Sequence, residues 1–185
     1  MKRELWYSVV VRDRHGKIVS RERRKSKSFL KQWNQLVYVH MSQTPLNITD
    51  TGGASRSIVK HPADFLMSIA AGSTTYGIRV GTGNTPVAID DYALASPIEE
   101  GTGAGQMEHL ICTVATSVVA APSCSFLVSR AITNNSGAEI TVREAGIYIF
   151  MDTYFGCGVR DVFVAPQAVP IGGAITVDWT IQVTV

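Results

Sequence analysis

Residues 174–185 read AITVDWTIQVTV, and along this stretch apolar side chains alternate with polar ones up to the last position. The apolar set is Ile175, Val177, Trp179, Ile181, Val183 and Val185. Side chains on a β-strand point to opposite faces in turn, so this period of two predicts a long antiparallel strand with one face on a core. A single strand cannot bury that face alone, and the rest of the chain must therefore supply partner strands.

The remaining sequence has the composition of such partners. Segments rich in Val, Ile, Thr and Tyr are separated by Gly, Pro and Asn, and the 185 residues include 16 glycines and seven prolines but only 17% charged residues. This pattern is typical of a β protein with many turns, and the length suits one full core. We predict an all-β fold, an antiparallel β-sandwich or jelly roll with seven or eight strands in its body.

Charge is distributed unevenly along the chain. Residues 1–40 hold 11 Lys or Arg against three acidic residues, a net charge of +8, whereas residues 41–185 hold six against 12, a net charge of −6. We interpret this as a basic N-terminal arm over residues 1–45 and a β-sandwich body over residues 46–185.

The predicted arm consists of a β-hairpin and a short helix. Residues 6–11 are an apolar strand, residues 13–16 supply turn residues, and residues 17–24 form a charged return strand. Ser28 is placed to cap a helix over residues 29–41.

The arm also contains the candidate partner-binding residues. The basic set is Arg21, Arg23, Arg24, Lys25, Lys27 and Lys31. Three interpretations stay open: a solvated edge strand whose charge prevents edge-to-edge pairing, a surface for an acidic protein, and a surface for nucleic acid. Nucleic acid is the least favoured, because no base-stacking aromatic pattern accompanies the charge. Apolar anchors beside the cations would be Trp6, Tyr7, Phe29 and Trp33.

The sequence contains little evidence for a catalytic, cofactor or metal site. The loop GTGNTP at 81–86 ends in Pro86 where a dinucleotide fingerprint has its third glycine, so we interpret it as a tight turn. Cys112, Cys124 and Cys157 are widely spaced, which favours free thiols over a zinc site. Asp90 and Asp91 are adjacent carboxylates that we assign to loop capping. We predict no enzyme, no cofactor and no metal.

Residues 139–150 alternate like the closing strand, but the phase changes across residues 144–146, which predicts a β-bulge there. At this position Arg143 and Glu144 either form an ion pair between sheets or subunits, or are simply exposed. A further strand is predicted over residues 65–70.

The longest apolar runs are far shorter than the roughly 20 residues of a membrane helix. The early charges are not followed by an apolar stretch with a cleavage site. We therefore expect no membrane partner and folding in a cytoplasm.

Three stretches of the body are considered together: YGIRVGTGNTPVAIDDYALASPIEEG (76–101), SRAITNNSGAEITVREAGIYI (129–149) and RDVFVAPQAVPIGGAITVDWTIQVTV (160–185). Their pattern of loops and strands resembles small structural proteins of tailed bacteriophages. The resemblance implies a jelly-roll body, often a homotrimer, that attaches to a capsid shell or forms part of a tail. It covers about 110 residues of the body and leaves the basic arm outside.

The resemblance and the charge pattern favour a virion structural protein made in the host cytoplasm. Our first hypothesis is a capsid cement or decoration protein whose arm binds an acidic surface of the major capsid protein. A tail, baseplate or tail-fibre component is the alternative, although the chain lacks the repeats of long fibres. A hypothesis of another class is a carbohydrate-binding or hydrolytic jelly roll using Asp90, Asp91, Tyr92 and Trp179, although the apolar face of its strand places Trp179 in the core.

Overall fold

The computed structural model describes residues 2–26 and 28–185, with the side chains of residues 2 and 3 outside this description. Within these residues it has eleven strands and one helix. The elements are β1 (Lys2–Arg12), β2 (Ile18–Ser26), α1 (Lys31–Ser42), β3 (Leu46–Thr49), β4 (Ser55–Ile58), β5 (Gly77–Gly81), β6 (Glu108–Val114), β7 (Val118–Ala120), β8 (Ser123–Thr133), β9 (Ile140–Met151), β10 (Tyr154–Val169) and β11 (Ala174–Thr184).

The strands form two main antiparallel sheets. The larger sheet has the order β2-β1-β11-β8-β6, with β7 also paired to β8, and the smaller has the order β10-β9-β5. A separate hairpin joins β3 to β4. The predicted all-β fold with antiparallel sheets is therefore confirmed, and nine strands follow residue 45 in the described chain where seven or eight were expected.

The core lies between the two sheets and follows the alternation of the closing strand. On β11, Ile175, Val177 and Trp179 are completely buried, and they pack in one cluster with Ile147 and Ile149 of β9. Burial of this apolar surface is the main stabilising contribution that the pattern of residues 174–185 predicts.

The N-terminal hairpin is built into this sandwich. Strand β1 lies between β2 and β11 and pairs with β11 from Lys2↔Thr184 to Arg12↔Ala174. Its alternate side chains Leu5, Val9 and Val11 belong to the same core cluster as β9 and β11. The predicted hairpin and helix are both present, and residues from β1 and α1 complete the core of the body.

Helix α1 begins two residues later than predicted. Its N-cap is Leu30, which provides no side-chain cap, and Ser28 instead donates a 2.9 Å hydrogen bond to Asp161 on β10. At the other end Gln43 adopts a left-handed conformation with φ 58° and donates its N–H to Val39 O. The prediction that Ser28 caps the helix was therefore wrong, because a buried carboxylate takes its hydroxyl.

The phase change in β9 is not caused by a bulge in that strand. Pairing of β5 with β9 runs in regular register from Gly77↔Tyr148 to Gly81↔Glu144, and the register shifts lie in β10, between Cys157 and Val159 and between Val162 and Gln167. Residues 144–149 of β9 are buried on both faces. A central strand covered on both sides shows apolar residues at consecutive positions, which alternation alone reads as a change of phase.

Residues 65–70, predicted as a strand, cross the end of the sandwich as a turn-rich segment instead. Phe65 has φ 64°, and Ile69 forms only an isolated bridge to Cys112. The backbone of a positive-φ residue leaves the extended region, so Phe65, Met67 and Ile69 pack on the core while the segment forms no strand.

Candidate binding surface

The register of β2 against β1 determines which basic side chains face outward. Trp6 pairs with Lys25, Ser8 with Arg23 and Val10 with Arg21. Paired residues in an antiparallel sheet share a face, and the opposite face of β1 is the one buried in the core. Three of the six predicted cations therefore stand on the outer face of the larger sheet. We call Arg21, Arg23 and Lys25 the basic stripe.

The basic stripe is exposed and evenly spaced. Its members are alternate residues of one strand, so neighbouring cations are separated by about 7 Å along the backbone. Lys25 Nζ lies 2.6 Å from Glu4 Oε1. Among the described side chains Arg21 and Arg23 form no ion pair, which leaves two uncompensated positive charges at this edge of the sheet.

Trp6 supports the stripe from the neighbouring strand. The Arg23 guanidinium lies 5.4 Å and the Lys25 ammonium 5.8 Å from its ring centroid. Cations attracted to the face of an indole lose part of their freedom, which orients them before any partner arrives. The predicted anchor Trp6 is half-buried and serves as a platform for the two cations.

The inner face of β2 is fixed to β10 by polar contacts. Glu22 accepts a 2.6 Å hydrogen bond from the Tyr7 hydroxyl, and Ser26 donates one of 2.5 Å to Asp161. Ser20 donates to Gln167 at 2.6 Å. Burial raises the pKa of Asp161 and, together with Glu22, the pKa of Tyr7. These contacts attach the edge strand to both sheets, so the stripe stands on a rigid support.

The other predicted cations are not part of the stripe. Arg24 points to the inner side of β2, with its Nε 4.0 Å from Glu22. Lys31, at the start of α1, lies 2.7 Å from the exposed Asp90. Lys27 lies outside the described residues.

The remaining predicted anchors pack inward. Tyr7 is only 3% exposed and tilts against Phe163 and Trp179, so it is a core residue with no surface available to a partner. Phe29 and Trp33 pack against each other with centroids 4.9 Å apart and are partly buried against the core. Alternation places Trp6 and Tyr7 on opposite faces of β1, but the sequence does not show which of these faces the smaller sheet covers.

Three of the six basic residues of the body, Arg79, Arg130 and Arg160, are buried, and Arg56 forms an ion pair at the surface. Arg56 pairs with Asp50 at 2.7 Å, and Arg79 pairs with Glu99 at 3.3 Å. Buried Arg130 donates to the carbonyl oxygens of Ser73, Ile78 and Leu110 at 2.6 to 2.9 Å. The cations of the hairpin therefore dominate the exposed positive charge.

A buried ionic cluster that the sequence did not predict connects β9 and β10 with the loop between β5 and β6. Glu144 is completely buried and accepts a 2.8 Å hydrogen bond from Arg160 and others from the N–H groups of Ala95 and Ser96. Arg160 also lies 2.6 Å from Asp91. Burial lowers the pKa of Arg160, but its hydrogen bonds to Glu144 and Asp91 raise the pKa by more than burial lowers it. The pKa of Arg160 is therefore above its ordinary value. The predicted alternatives for Arg143 and Glu144 are thus replaced by a Glu144–Arg160 pair.

This cluster also explains the glycine loop at 81–86. A Cβ on Gly83 would lie 2.5 Å from Glu144 Oε1, and one on Gly81 would lie 2.6 Å from the same oxygen. Neither glycine has a positive φ. The loop needs glycine because its backbone passes close to a buried carboxylate. The tight-turn interpretation, which explained these glycines by a positive φ, was therefore wrong about the cause.

A second enclosed group surrounds His109. Its Nδ1 lies 3.0 Å from Glu100 Oε2 and 3.1 Å from Met107 O, so this nitrogen carries the proton toward two acceptors. Burial, followed by the charge of Arg130, lowers the pKa of His109 to about 4 although Glu100 opposes the shift. The ring is neutral near pH 7 and is packed away from solvent.

The residues of the carbohydrate hypothesis do not converge on one surface. Trp179 is completely buried, as the alternation predicted, and Asp91 is held by Arg160 and by the N–H of Ala88. Asp90 pairs with Lys31, while Tyr92 is exposed beside Gly53. The two aspartates thus fix a loop, in line with the capping prediction.

Other site chemistry within the described residues is limited. No group of three or more His, Cys, Asp or Glu side chains in residues 2–26 and 28–185 is arranged to hold a metal ion. Cys112 and Cys157 are buried and Cys124 is half-buried, all as free thiols, and burial raises the pKa of the first two. No helix in the described part of the chain is long and apolar enough to cross a membrane.

Comparison with known proteins adds no assignment, because no family model, curated protein or solved structure matches this chain.

Proposed function

We propose that this chain is a non-catalytic structural protein of a tailed-phage virion, and that its basic stripe binds an acidic surface of the major capsid protein. The observation that carries the proposal is the segregation of charge. Arg21 and Arg23 stand uncompensated on an outer sheet face, whereas Arg79, Arg130 and Arg160 are engaged inside the body. The resemblance of residues 76–101, 129–149 and 160–185 to phage structural proteins supplies the biological setting.

An acidic protein surface suits the stripe better than nucleic acid does. Single-stranded nucleic acid is bound by aromatic faces on which bases stack. Here the Trp6 ring already lies beneath Arg23 and Lys25. Cations on residues about 7 Å apart along the backbone of one strand suit a surface of carboxylates on another folded protein.

The test mixes the purified full chain with empty tailed-phage capsid shells and images them by electron cryomicroscopy between about 0.1 M and about 1 M salt, where the Debye length falls from about 10 Å to about 3 Å. We expect density at regular lattice positions at low salt and its loss at high salt. Bare shells at every salt concentration would contradict the capsid assignment, and binding to isolated baseplates would then favour the tail component.

A pair of charge-matched variants tests the stripe itself. Arg21→Glu with Arg23→Glu should abolish shell binding, because both uncompensated cations become repulsive. Arg14→Glu with Lys60→Glu changes the net charge equally at exposed positions outside the stripe and should bind as the wild type does. Equal binding by both variants would rule out the stripe as the contact surface.

A further inference from the structure

The apolar face of β11 continues past the region that the sandwich covers. Trp179 is 0% exposed, Ile181 is half-buried, Val183 is 39% exposed and Val185 is 88% exposed. These residues lie on the same, inward face of the larger sheet. The larger sheet therefore overhangs the core at the end where β1 begins and β11 ends.

An apolar groove of about 410 Å³ lies under this overhang. Its walls come from α1, from the segment before β5, and from β6 and β8. The lining residues are Trp33, Val37, Phe65, Met67, Val114 and Phe126. Phe126 pairs with Ile181, so the groove floor is continuous with the exposed face of β11.

A protruding apolar tip stands beside the groove. Residues 113–122 are exposed at every position and include β7, where Val118 is 60% and Val119 is 78% exposed. Val119 pairs with Cys124, two residues from Phe126 on the same strand and the same face. Tip and groove are thus adjacent parts of one surface.

The part of this surface formed by β7, the first half of β8 and the end of β11 carries no charged residue. Residues 113–128 and 179–185 contain no Asp, Glu, Lys, Arg or His. The segment before β5 contains one acidic residue, Asp64, and its side chain is fully buried and pairs with His40. Depletion of charge is the mark of the centre of an interface between proteins, and it is strongest between copies of one chain.

We propose that this surface binds a second copy of the chain, with the β7–β8 tip of one copy in the groove of the other. An apolar groove and an apolar projection are present on the same copy, so association of two copies can bury both at once. The strands β1, β11 and β8 separate β2 from the β6 and β7 edge, a distance of about 19 Å. Copies joined at this edge keep their basic stripes apart and facing outward, which avoids repulsion between like charges.

The test measures the mass of the full chain by light scattering and sedimentation from about 1 to about 100 µM, a range over which weak self-association becomes visible. We expect wild type above the monomer mass. Val119→Glu in the tip and, separately, Val37→Glu in the groove should each be monomeric, while Val164→Glu, at a 68% exposed position on β10, should assemble like wild type. A monomeric wild type over the whole range overturns the proposal and leaves the groove to a different partner.

Mixing the two variants provides the sharper result. The tip of Val37→Glu and the groove of Val119→Glu are both intact, so one contact can form and the mixture should contain heterodimers. Val37→Gln replaces Val37→Glu if thermal unfolding shows that the charged helix variant does not fold. A mixture that stays monomeric, or a Val119→Glu variant that still assembles, would exclude the tip-in-groove contact. Self-association is measured without capsid shells, so its result does not depend on the phage assignment. Shell binding by a monomeric variant is a separate measurement.

Discussion

Glu144 illustrates how much a single carboxylate contributes when it is sealed in a core. Arg160 and two backbone N–H groups compensate its charge, and Gly81 and Gly83 give it room. Removing one partner of such a pair leaves the other buried without compensation, which is far more costly than the net value of the pair. The cluster therefore couples the loop before β6 to the two long strands of the smaller sheet.

We expect Glu144→Gln to lower the free energy of unfolding by about 3 to 5 kcal/mol, because its amide group faces the Arg160 guanidinium and two N–H donors. Asp90→Asn is the matched control, since its side chain is 77% exposed and its pair with Lys31 is a surface one, with an expected loss below about 1 kcal/mol. Urea denaturation of both variants measures the difference. Similar losses in both would show that the buried cluster has no special weight.

His109 predicts a specific pH dependence of stability. Its pKa is about 4 in the folded protein against an ordinary value of 6.5, so the unfolded chain binds more protons between these values. This contribution to stability is complete above about pH 6.5 and is lost as the pH falls toward 4. Around the ring stand Glu100, Arg79 and Arg130, and the two arginines oppose a further positive charge.

The free energy of unfolding should fall by about 2 kcal/mol between about pH 7.5 and about pH 5 through His109 alone. His109→Gln cannot take up the proton, so its unfolding free energy should change by that much less over the same range. Urea denaturation at both pH values gives the comparison. Identical pH dependence in the two proteins would contradict the assignment.

At the scale of elements, the strands with strict alternation were predicted well. The predictions for β1, β2 and β11 agree with the structure to within a few residues, because turns that contain Gly or Pro bound these segments. The phase change in β9 and the segment at 65–70 were misread. Burial of β9 on both faces and the positive φ of Phe65 depend on neighbours that lie far away in the sequence.

The hairpin is the element whose role the sequence described least. Its charge predicted an arm, but strand β1 lies between β2 and β11, and its inward side chains Leu5, Val9 and Val11 belong to the core. The outward cations and the inward apolar residues alternate, so the same strands provide a surface and a wall of the core.

Deleting residues 1–26 should therefore abolish cooperative unfolding, because it removes Leu5, Tyr7, Val9 and Val11 from the core and leaves β11 without one partner. Thermal unfolding followed by circular dichroism measures this. The full chain with Arg21→Glu and Arg23→Glu should melt within about 3 °C of wild type, since these substitutions are on the surface. A truncated protein that still unfolds in one sharp transition would mean that the body folds without its hairpin.

At the scale of the whole molecule, two surfaces of opposite character occupy opposite edges of the larger sheet. The basic stripe could be located from the sequence, because its cations are concentrated in one short segment. The apolar tip and groove could not, since alternation looks the same where a strand is covered and where it overhangs. Only the length of the covering layer decides how much of an apolar face remains exposed.

The pairing of β1 with β11 also affects how fast the chain folds. Lys2 pairs with Thr184, so the centre of the larger sheet joins residues that are 182 positions apart in the sequence. Contacts between residues this distant form slowly, because the entropy of closing a long loop is lost before the contacts stabilise the chain. On a ribosome, β1 has to wait until β11 has emerged before the two strands can pair, and an apolar strand left unpaired for that time is a target for chaperones.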